Sequence, residues 1–431
     1  MFTQAAMFAY YLFSCLTLLL FPRGIPYGAN SSQRVHSFAG QYGKPGRAHT
    51  IEQTFPMKTF NCACGELIFF ENVQCLVCGR ELGFLPDVLT LSSLEAAEGG
   101  LFQATGGKRG GQLYKKCQNY AKESVCNWMI PAGPKSAPDQ DPFCASCRLN
   151  QTIPDLSGTQ NHDLWQRMEM AKRRLVYTLL YFKLPIANKR DDPEKGLAFA
   201  FLEDIVKPDG SVFKVMTGHD NGLITLNIAE ADDSIREKIR NAMKEPLRTL
   251  LGHFRHEIGH YYWDRLIRDT KFLQRFRTLF GDEQANYEEA LQHHYSVGAP
   301  ADWQNNYISM YATAHPWEDW AESWAHFMHI QDTLEVANDF GLVGKSIRLD
   351  PGDAQLPRRK TWLSSEQVTF EGIIGAWAEL SITLNSINRS MGVADIYPFV
   401  LSPPIINKLQ FIFEVISAGS ARSVVASNSK Q

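Results

Sequence analysis

Charge of one sign is what this 431-residue sequence lacks: 43 Lys and Arg stand against 46 Asp and Glu, a formal net charge of −3. That balance removes the simplest electrostatic argument for a nucleic-acid or acidic-membrane partner. Cysteine is scarce as well, and nine residues are too few to staple a chain of this length into a disulfide scaffold. No internal repeat is present beyond two cysteine quartets. The sequence also lacks the marks of a secretory signal. Residues 5–21 form an apolar run that no Lys or Arg precedes, and the nearest cleavage-like site, Tyr27-Gly28-Ala29, has no small residue at −3.

What is there is ordinary for a folded protein: 44% hydrophobic, 21% charged, and 12% aromatic with nine Trp. Such a chain can bury two or three cores, and disorder is excluded as its main state. Residues 5–21 are short for a membrane-spanning helix and long for a signal core. Three readings stand. Residues 1–56 are an extension upstream of a natural start at Met57; or 5–21 is an anchor, with Arg23, Arg34, Lys44 and Arg47 holding its C-terminal side in the cytoplasm; or it is a cleaved signal. Residues 22–56 read as a linker under each.

Eight of the nine cysteines fall between Cys62 and Cys147. Cys62-x-Cys64 and Cys75-x-x-Cys78 make two close thiol pairs, each followed by the glycine a knuckle needs, Gly65 and Gly79. Facing knuckles give a tetrahedral sulfur site, closed and therefore structural. Cys117, Cys126, Cys144 and Cys147 form a looser second set in which the last pair alone has knuckle spacing. Zinc is expected in both, with disulfides or rubredoxin-like iron as alternatives. Cys15 reads as a small hydrophobe. Thiolate sites need reducing surroundings, so the quartets argue for the cytoplasm. The basic group Lys108, Arg109, Lys115, Lys116 and Lys122 reads as a solvated turn, so a docking role for this region is favoured over nucleic-acid binding.

Beyond residue 155 apolar residues recur at helical spacing over 162–182, 317–330 and 370–390, and strand-like runs occupy 197–204 and 214–228, with a turn at Asp220-Asn221-Gly222. A long helical stretch begins near Ile235 and restarts at Pro246, and the last dozen residues read as a frayed tail. The restarted helix carries His256-Glu257-Ile258-Gly259-His260. This HExxH spacing puts both imidazoles on one helix face, one turn apart, where they can share a zinc ion. Glu257 then stands where it can take a proton from zinc-bound water.

A third ligand is required. The metzincin extension would place Gly at 263 and His at 266, where this chain has Trp263 and Leu266, so that class is excluded. Further on, Glu318 and Glu322 lie i, i+4 on one helix. One carboxylate can ligate the metal while the other holds a ligand histidine.

This second motif, from Tyr311 to His326, resembles that of the gluzincins, metallopeptidases whose third ligand is a glutamate on a second helix. The resemblance implies Glu318 as ligand, Glu322 as the carboxylate behind it, and Tyr311 as a hydroxyl stabilising the oxyanion; Glu322 as ligand is the alternative. The whole series is similar to a bacterial family of zinc-ribbon, zinc-binding metallopeptidases over 57–415. The likeness runs through the cysteine quartets, Arg255 with HExxH, and the stretches CNW at 126–128, CRLNQTIPDL at 147–156, GLITLNIAEAD at 222–232 and NRSMG near 388. It implies a zinc peptidase and carries neither substrate nor biological role.

Other positions read more plainly. His253 reads as a helix-surface residue, with a place behind the ligand histidines as the alternative, His293 and His294 as exposed, and His315 as a cap or a substrate contact. Trp317, Trp320 and Trp324 read as core. Residues 221–228 are either an edge strand offering hydrogen bonds to an extended peptide or an ordinary core strand. The expectation is therefore an α+β protein. Residues 57–155 form tandem zinc ribbons, and 156–416 a mainly helical zincin-type domain with a small sheet, before a flexible tail at 417–431. It would hydrolyse a peptide or protein substrate through zinc-bound water activated by Glu257, with one catalytic and one or two structural zinc ions. The ribbons could recruit a protein partner, and a membrane enters only through residues 5–21. The competing class is a non-catalytic interaction or nucleic-acid-binding scaffold built on a relic of the same fold.

Overall fold

The computed structural model describes residues 59–105, 112–133, 141–243, 249–343 and 369–428, all within one unit spanning Thr54–Gln431. The apolar run at 5–21, the start at Met57, Lys108, Arg109 and the restart at Pro246 lie outside the described residues. Among those described, no helix is long and apolar enough to cross a membrane.

The N-terminal region is all antiparallel. A hairpin of β1 (Thr59–Asn61) and β2 (Leu67–Phe69) carries the first knuckle. A five-stranded meander follows: β3 (Leu82–Leu85), β4 (Thr90–Ala96), β5 (Phe102–Ala104), β6 (Leu113–Lys116) and β7 (Met129–Pro131). Gly65 and Gly79 have φ of 91° and 71°, the left-handed turn a side chain resists. Their amides return to the carbonyls of Cys62 and Cys75, at 2.8 and 2.9 Å, which closes each knuckle.

The mainly helical part opens with α1 (Asn161–Tyr181). Its Tyr177 packs edge-on against Phe70 and Phe84, with ring centroids 5.4 and 5.8 Å away, and Phe84 in turn lies 4.6 Å from Trp128. This aromatic knot seats the helix on the ribbon region. Behind it stands a four-stranded sheet of order β12-β13-β9-β8, from β8 (Asn150–Thr152), β9 (Ala198–Leu202), β12 (Gly218–Asp220) and β13 (Leu223–Asn227), with the hairpin β10 (Ile205–Val206) and β11 (Val212–Phe213) at its side. The Asn221-Gly222 turn has both residues at positive φ, 45° and 86°.

The run 214–228 folds as two strands about the expected turn at Asp220-Asn221-Gly222, and of the two readings of 221–228 the core strand holds: β13 is interior, paired with β12 and with β9, so it offers no free edge. Its alternation fits that place, since Ile224 and Leu226 are fully buried. The edge belongs to β12 instead.

Next come α2 (Asp233–Met243), α3 (Leu250–Leu266), α4 (Leu273–Phe280), α5 (Tyr287–Val297), α6 (Pro316–Asp339), α7 (Phe370–Ser390) and α8 (Pro403–Asn428). The described HExxH-bearing helix α3 starts at Leu250, where the Thr249 hydroxyl accepts from the Gly252 amide at 2.9 Å and caps it. Helix α8 runs through the start of the expected tail, as far as Asn428. Gly419 lets it pass close to α3, since a Cβ there would stand 3.2 Å from Leu266.

Candidate functional site

Both elements of the site are buried helices, and they touch where α3 has a glycine. A Cβ on Gly259 would lie 3.1 Å from the Cα of Ala321 and 3.3 Å from Trp324. The Trp320 indole donates to the Gly259 carbonyl at 2.9 Å, which pins the two helices in register. That contact turns the HExxH face of α3 towards the first turns of α6. His315 caps α6, its Nδ1 accepting from the Trp317 amide at 3.1 Å while its Nε2 donates to the Ala285 carbonyl. It is thus a cap.

Three ligand-type atoms converge. The Nε2 atoms of His256 and His260 are 3.2 Å apart, and Glu318 Oε2 lies 3.0 and 3.5 Å from them. Zinc with bonds of about 2.0–2.1 Å and tetrahedral angles would separate its ligand atoms by about 3.3 Å, so the donor set fits that ion. Glu318 Oε2 is buried without a hydrogen-bond donor, which is what a metal-facing oxygen requires. His256 Nδ1 stands 2.7 Å from Glu322 Oε1, so the ring proton sits there and Nε2 keeps its lone pair. Burial alone would raise the Glu322 carboxyl, but this hydrogen bond overrides it and holds the group to about 2.

Glu257 is 5% exposed and its Oε1 lies 3.2 Å from His253 Nε2. His253 Nδ1 in turn meets Glu230 Oε2 at 2.6 Å. The reading of His253 as a helix-surface residue is corrected: with a side chain 11% exposed, it is clasped between two carboxylates. Burial pulls its pKa down, but the Glu230 charge prevails and raises it to about 9. Burial likewise pushes the Glu257 carboxyl up, and the hydrogen bond from His253 holds it below its ordinary value.

Tyr287 was not singled out in the sequence. Its hydroxyl donates to Glu318 Oε1 at 2.6 Å, fixing the carboxylate whose other oxygen faces the imidazoles. No motif spacing could have found it, since it sits on α5, 31 positions upstream. Tyr311 lies with its ring 5.9 Å from His256, and burial followed by the Glu318 charge drives its phenol well above the ordinary value. His294 packs against Tyr311 at 5.9 Å and is half-buried, while its neighbour His293 is exposed as expected. Trp320 and Trp324 are core, whereas Trp317 is half-buried with its ring 4.6 Å from His260.

These groups face a cavity of about 850 Å³ whose wall includes His256, Glu257, Tyr287, Tyr311, Glu322 and the extended residues before β12. A carboxylate beside a metal-type triad, with a phenol across from it, is the equipment for moving a proton and holding a developing oxyanion.

The cysteines form two further clusters, Cys62 with Cys64, Cys75 and Cys78, and Cys117 with Cys126, Cys144 and Cys147. Sulfurs stand 3.5 Å apart in the pair Cys62–Cys78, 3.7 Å in Cys64–Cys75 and 3.8 Å in Cys126–Cys144. Tetrahedral zinc with Zn–S of about 2.3 Å needs about 3.8 Å, and a disulfide needs about 2.0 Å, so the first fits and the second does not. In the second cluster the amides of Trp128, Cys144 and Cys147 donate to cysteine sulfurs at 3.3–3.4 Å, bonds that favour thiolate.

The comparisons with known proteins agree with this geometry. Residues 161–415 match the family described as "Putative zinc-binding metallo-peptidase", and residues 59–158 match a zinc-ribbon domain. An uncharacterized protein of Mycobacterium bovis is 41% identical over 362 residues, covering 84% of this chain and 95% of its own length. An uncharacterized protein of Mycobacterium tuberculosis matches with the same figures. No solved structure matches the chain.

Proposed function

The chain belongs to that zinc-binding metallo-peptidase family, and we propose that it hydrolyses peptide bonds at the site formed by α3 and α6. The observation that carries this is that Glu257 lines the cavity together with His256, one of the three residues, with His260 and Glu318, whose ligand-type atoms converge. Those three residues hold a catalytic zinc ion in this reading, and Glu322 and Tyr287 orient two of them. Bound there, zinc supplies a Lewis acid that polarises the scissile carbonyl and brings a neighbouring water to a pKa of about 7.

Glu257 takes the proton of the attacking water and delivers it to the departing amine, acting as base and then as acid. His253 keeps that carboxylate turned towards the cleft. The Tyr311 phenol keeps its proton at neutral pH and donates to the carbonyl oxygen as negative charge gathers on it. The two cysteine clusters hold structural zinc, and their thiolates suit a reducing cytoplasm. The exposed ribbon surface is free to meet a protein partner.

Zinc content and proteolysis test this together. Elemental analysis should find three zinc ions per chain and two in His260→Ala. Unfolded casein should be cleaved by the wild type, and Glu257→Gln should keep three zinc ions while losing at least about 100-fold in rate. A wild-type chain that holds zinc yet cleaves nothing, or a Glu257→Gln variant as active as the wild type, would favour the scaffold reading.

A further inference from the structure

The cavity extends past the metal-type triad along α6. His326 lies two turns beyond Glu318, about 12 Å further along the axis at 1.5 Å per residue. It is 3% exposed, yet it lines the same cavity. Its Nδ1 stands 2.8 Å from the hydroxyl of Tyr397, itself buried. A buried hydroxyl hydrogen needs an acceptor, and this nitrogen is the one at hand. The phenol therefore donates, Nδ1 accepts, and the single proton of the neutral ring sits on Nε2. Among the described residues no group accepts that Nε2–H.

The surroundings narrow what could accept it. Phe399 packs on the His326 ring at 4.5 Å and, with Pro398, Met310 and Ala325, makes one apolar wall, while Ser309 and His329 border the same cavity. One turn back on the same helix face stands Glu322, whose carboxylate is 18% exposed and also borders the cavity. Side chains four apart on a helix stand about 5–6 Å from each other at Cβ. The pocket thus sets an N–H donor and a carboxylate acceptor side by side, against that apolar wall.

We propose that this pocket is a substrate subsite for a carboxamide side chain, glutamine or asparagine, and that His326 is its specificity-determining residue. The amide oxygen accepts from His326 Nε2–H, and the amide NH2 donates to Glu322, whose carboxylate has lone pairs beyond those that His256 and Ser309 use. An acidic side chain would meet the negative charge of Glu322. An aliphatic one would leave a buried donor unpaired, and the loss of such a bond is worth about tenfold. The inference rests on the peptide-hydrolysing reading above.

Two measurements on the zinc-loaded full chain separate the outcomes. Paired peptides differing only in Gln against Glu, and in Gln against norleucine, are compared by kcat/KM. The wild type should prefer Gln at one subsite by about tenfold, and the ratio should fall towards one in His326→Phe and in Tyr397→Phe, which frees the ring to change tautomer. Unchanged ratios in both variants, or a wild type that prefers Glu or norleucine at every position, overturn the proposal. Independently, ¹⁵N spectra of the imidazoles, with His326 assigned by its loss in His326→Phe, should show an Nε2–H tautomer whose signal shifts on adding N-acetylglutamine amide and not N-acetylnorleucine amide. If no peptide is cleaved but that shift appears, the hydrolase reading fails and the amide subsite stands. If the ring carries its proton on Nδ1, or ignores the amide, the subsite fails whatever the activity.

Discussion

Glu318 divides its two oxygens between two tasks: Oε1 accepts from Tyr287, while Oε2 faces the imidazoles without a donor. A hydroxyl holding the far oxygen fixes the plane of the near one, so Tyr287→Phe should weaken zinc at this site about 10–100-fold, read by competition with a chelator. An unchanged affinity would show that helix packing alone aims the carboxylate. His326 makes a second expectation at this scale. Burial lowers its pKa to about 4, although Glu322 pulls the other way. The unfolded chain then takes up a proton near pH 6.5 that the folded chain refuses, so stability is intact above that pH and is lost as pH falls towards about 4. Compared with His326→Leu, the wild type should lose about 2 kcal/mol between pH 7 and pH 5, checked by urea midpoints at the two values. At the scale of single residues the sequence was legible where chemistry rides on fixed spacing, as in the two imidazoles and the pair Glu318 and Glu322. It was not legible where partners come from distant elements. His253 looks like surface because Glu230, which clasps it, sits in the turn after β13, and Tyr287 looks like any aromatic on a polar helix.

At the scale of elements, the crossing of α3 and α6 is set by Gly259, and the fit leaves no room for a branched side chain. Gly259→Val would push against the Cα of Ala321, a backbone atom that cannot swing aside. The substitution should cost about 2–3 kcal/mol in urea unfolding and also reduce zinc at the His256 site, because the helices separate at the residue next to a ligand. A stable variant with full zinc would mean that the helices are held elsewhere. Helix identity was legible for α1, α2, α3, α6 and α7, whereas α4, α5 and α8 were not read as helices, and helix limits and faces were less legible still. Nearly every residue from Phe254 to Trp263 is buried, so α3 carries no polar stripe to say which side meets which neighbour. The described part of α3 begins at Leu250 under a threonine cap, and Gly419 lets α8 dock on Leu266. The strand at 223–227 reads equally well as edge or interior, since pairing on both sides is a property of the sheet and not of the strand.

Across the whole molecule, the two cysteine clusters differ in what they touch. In the first, Cys64 is exposed, and it is the flanking Thr59 and Glu71, not the cysteines, that reach the helices, at Asp339 and Arg174. The second is buried against α1: Cys147 Sγ lies 3.8 Å from Glu169 Oε2, a carboxylate with no exposure that also accepts from Asn150, Trp165 and Lys172. From there α1 carries the connection inward, because its Thr178 donates to Asp332 on α6, and Asp332 pairs with Arg255, the residue before the first ligand histidine. A fully bonded buried pair such as Glu169 and Lys172 tolerates little displacement, since any lost partner leaves a charge unpaired in a dry setting. Loss of the second cluster's metal should therefore be felt at the helical site, whereas loss of the first should stay local. Cys147→Ser and Cys64→Ser are each expected to release one zinc ion. Cys147→Ser should also lower the unfolding temperature of the helices by on the order of 10 °C and weaken zinc at His256 and His260, while Cys64→Ser should leave both close to wild type. Calorimetry with zinc analysis on the two variants decides the matter. Equal shifts would mean that the ribbons act on the helices together through the aromatic knot around Tyr177, and not through Glu169.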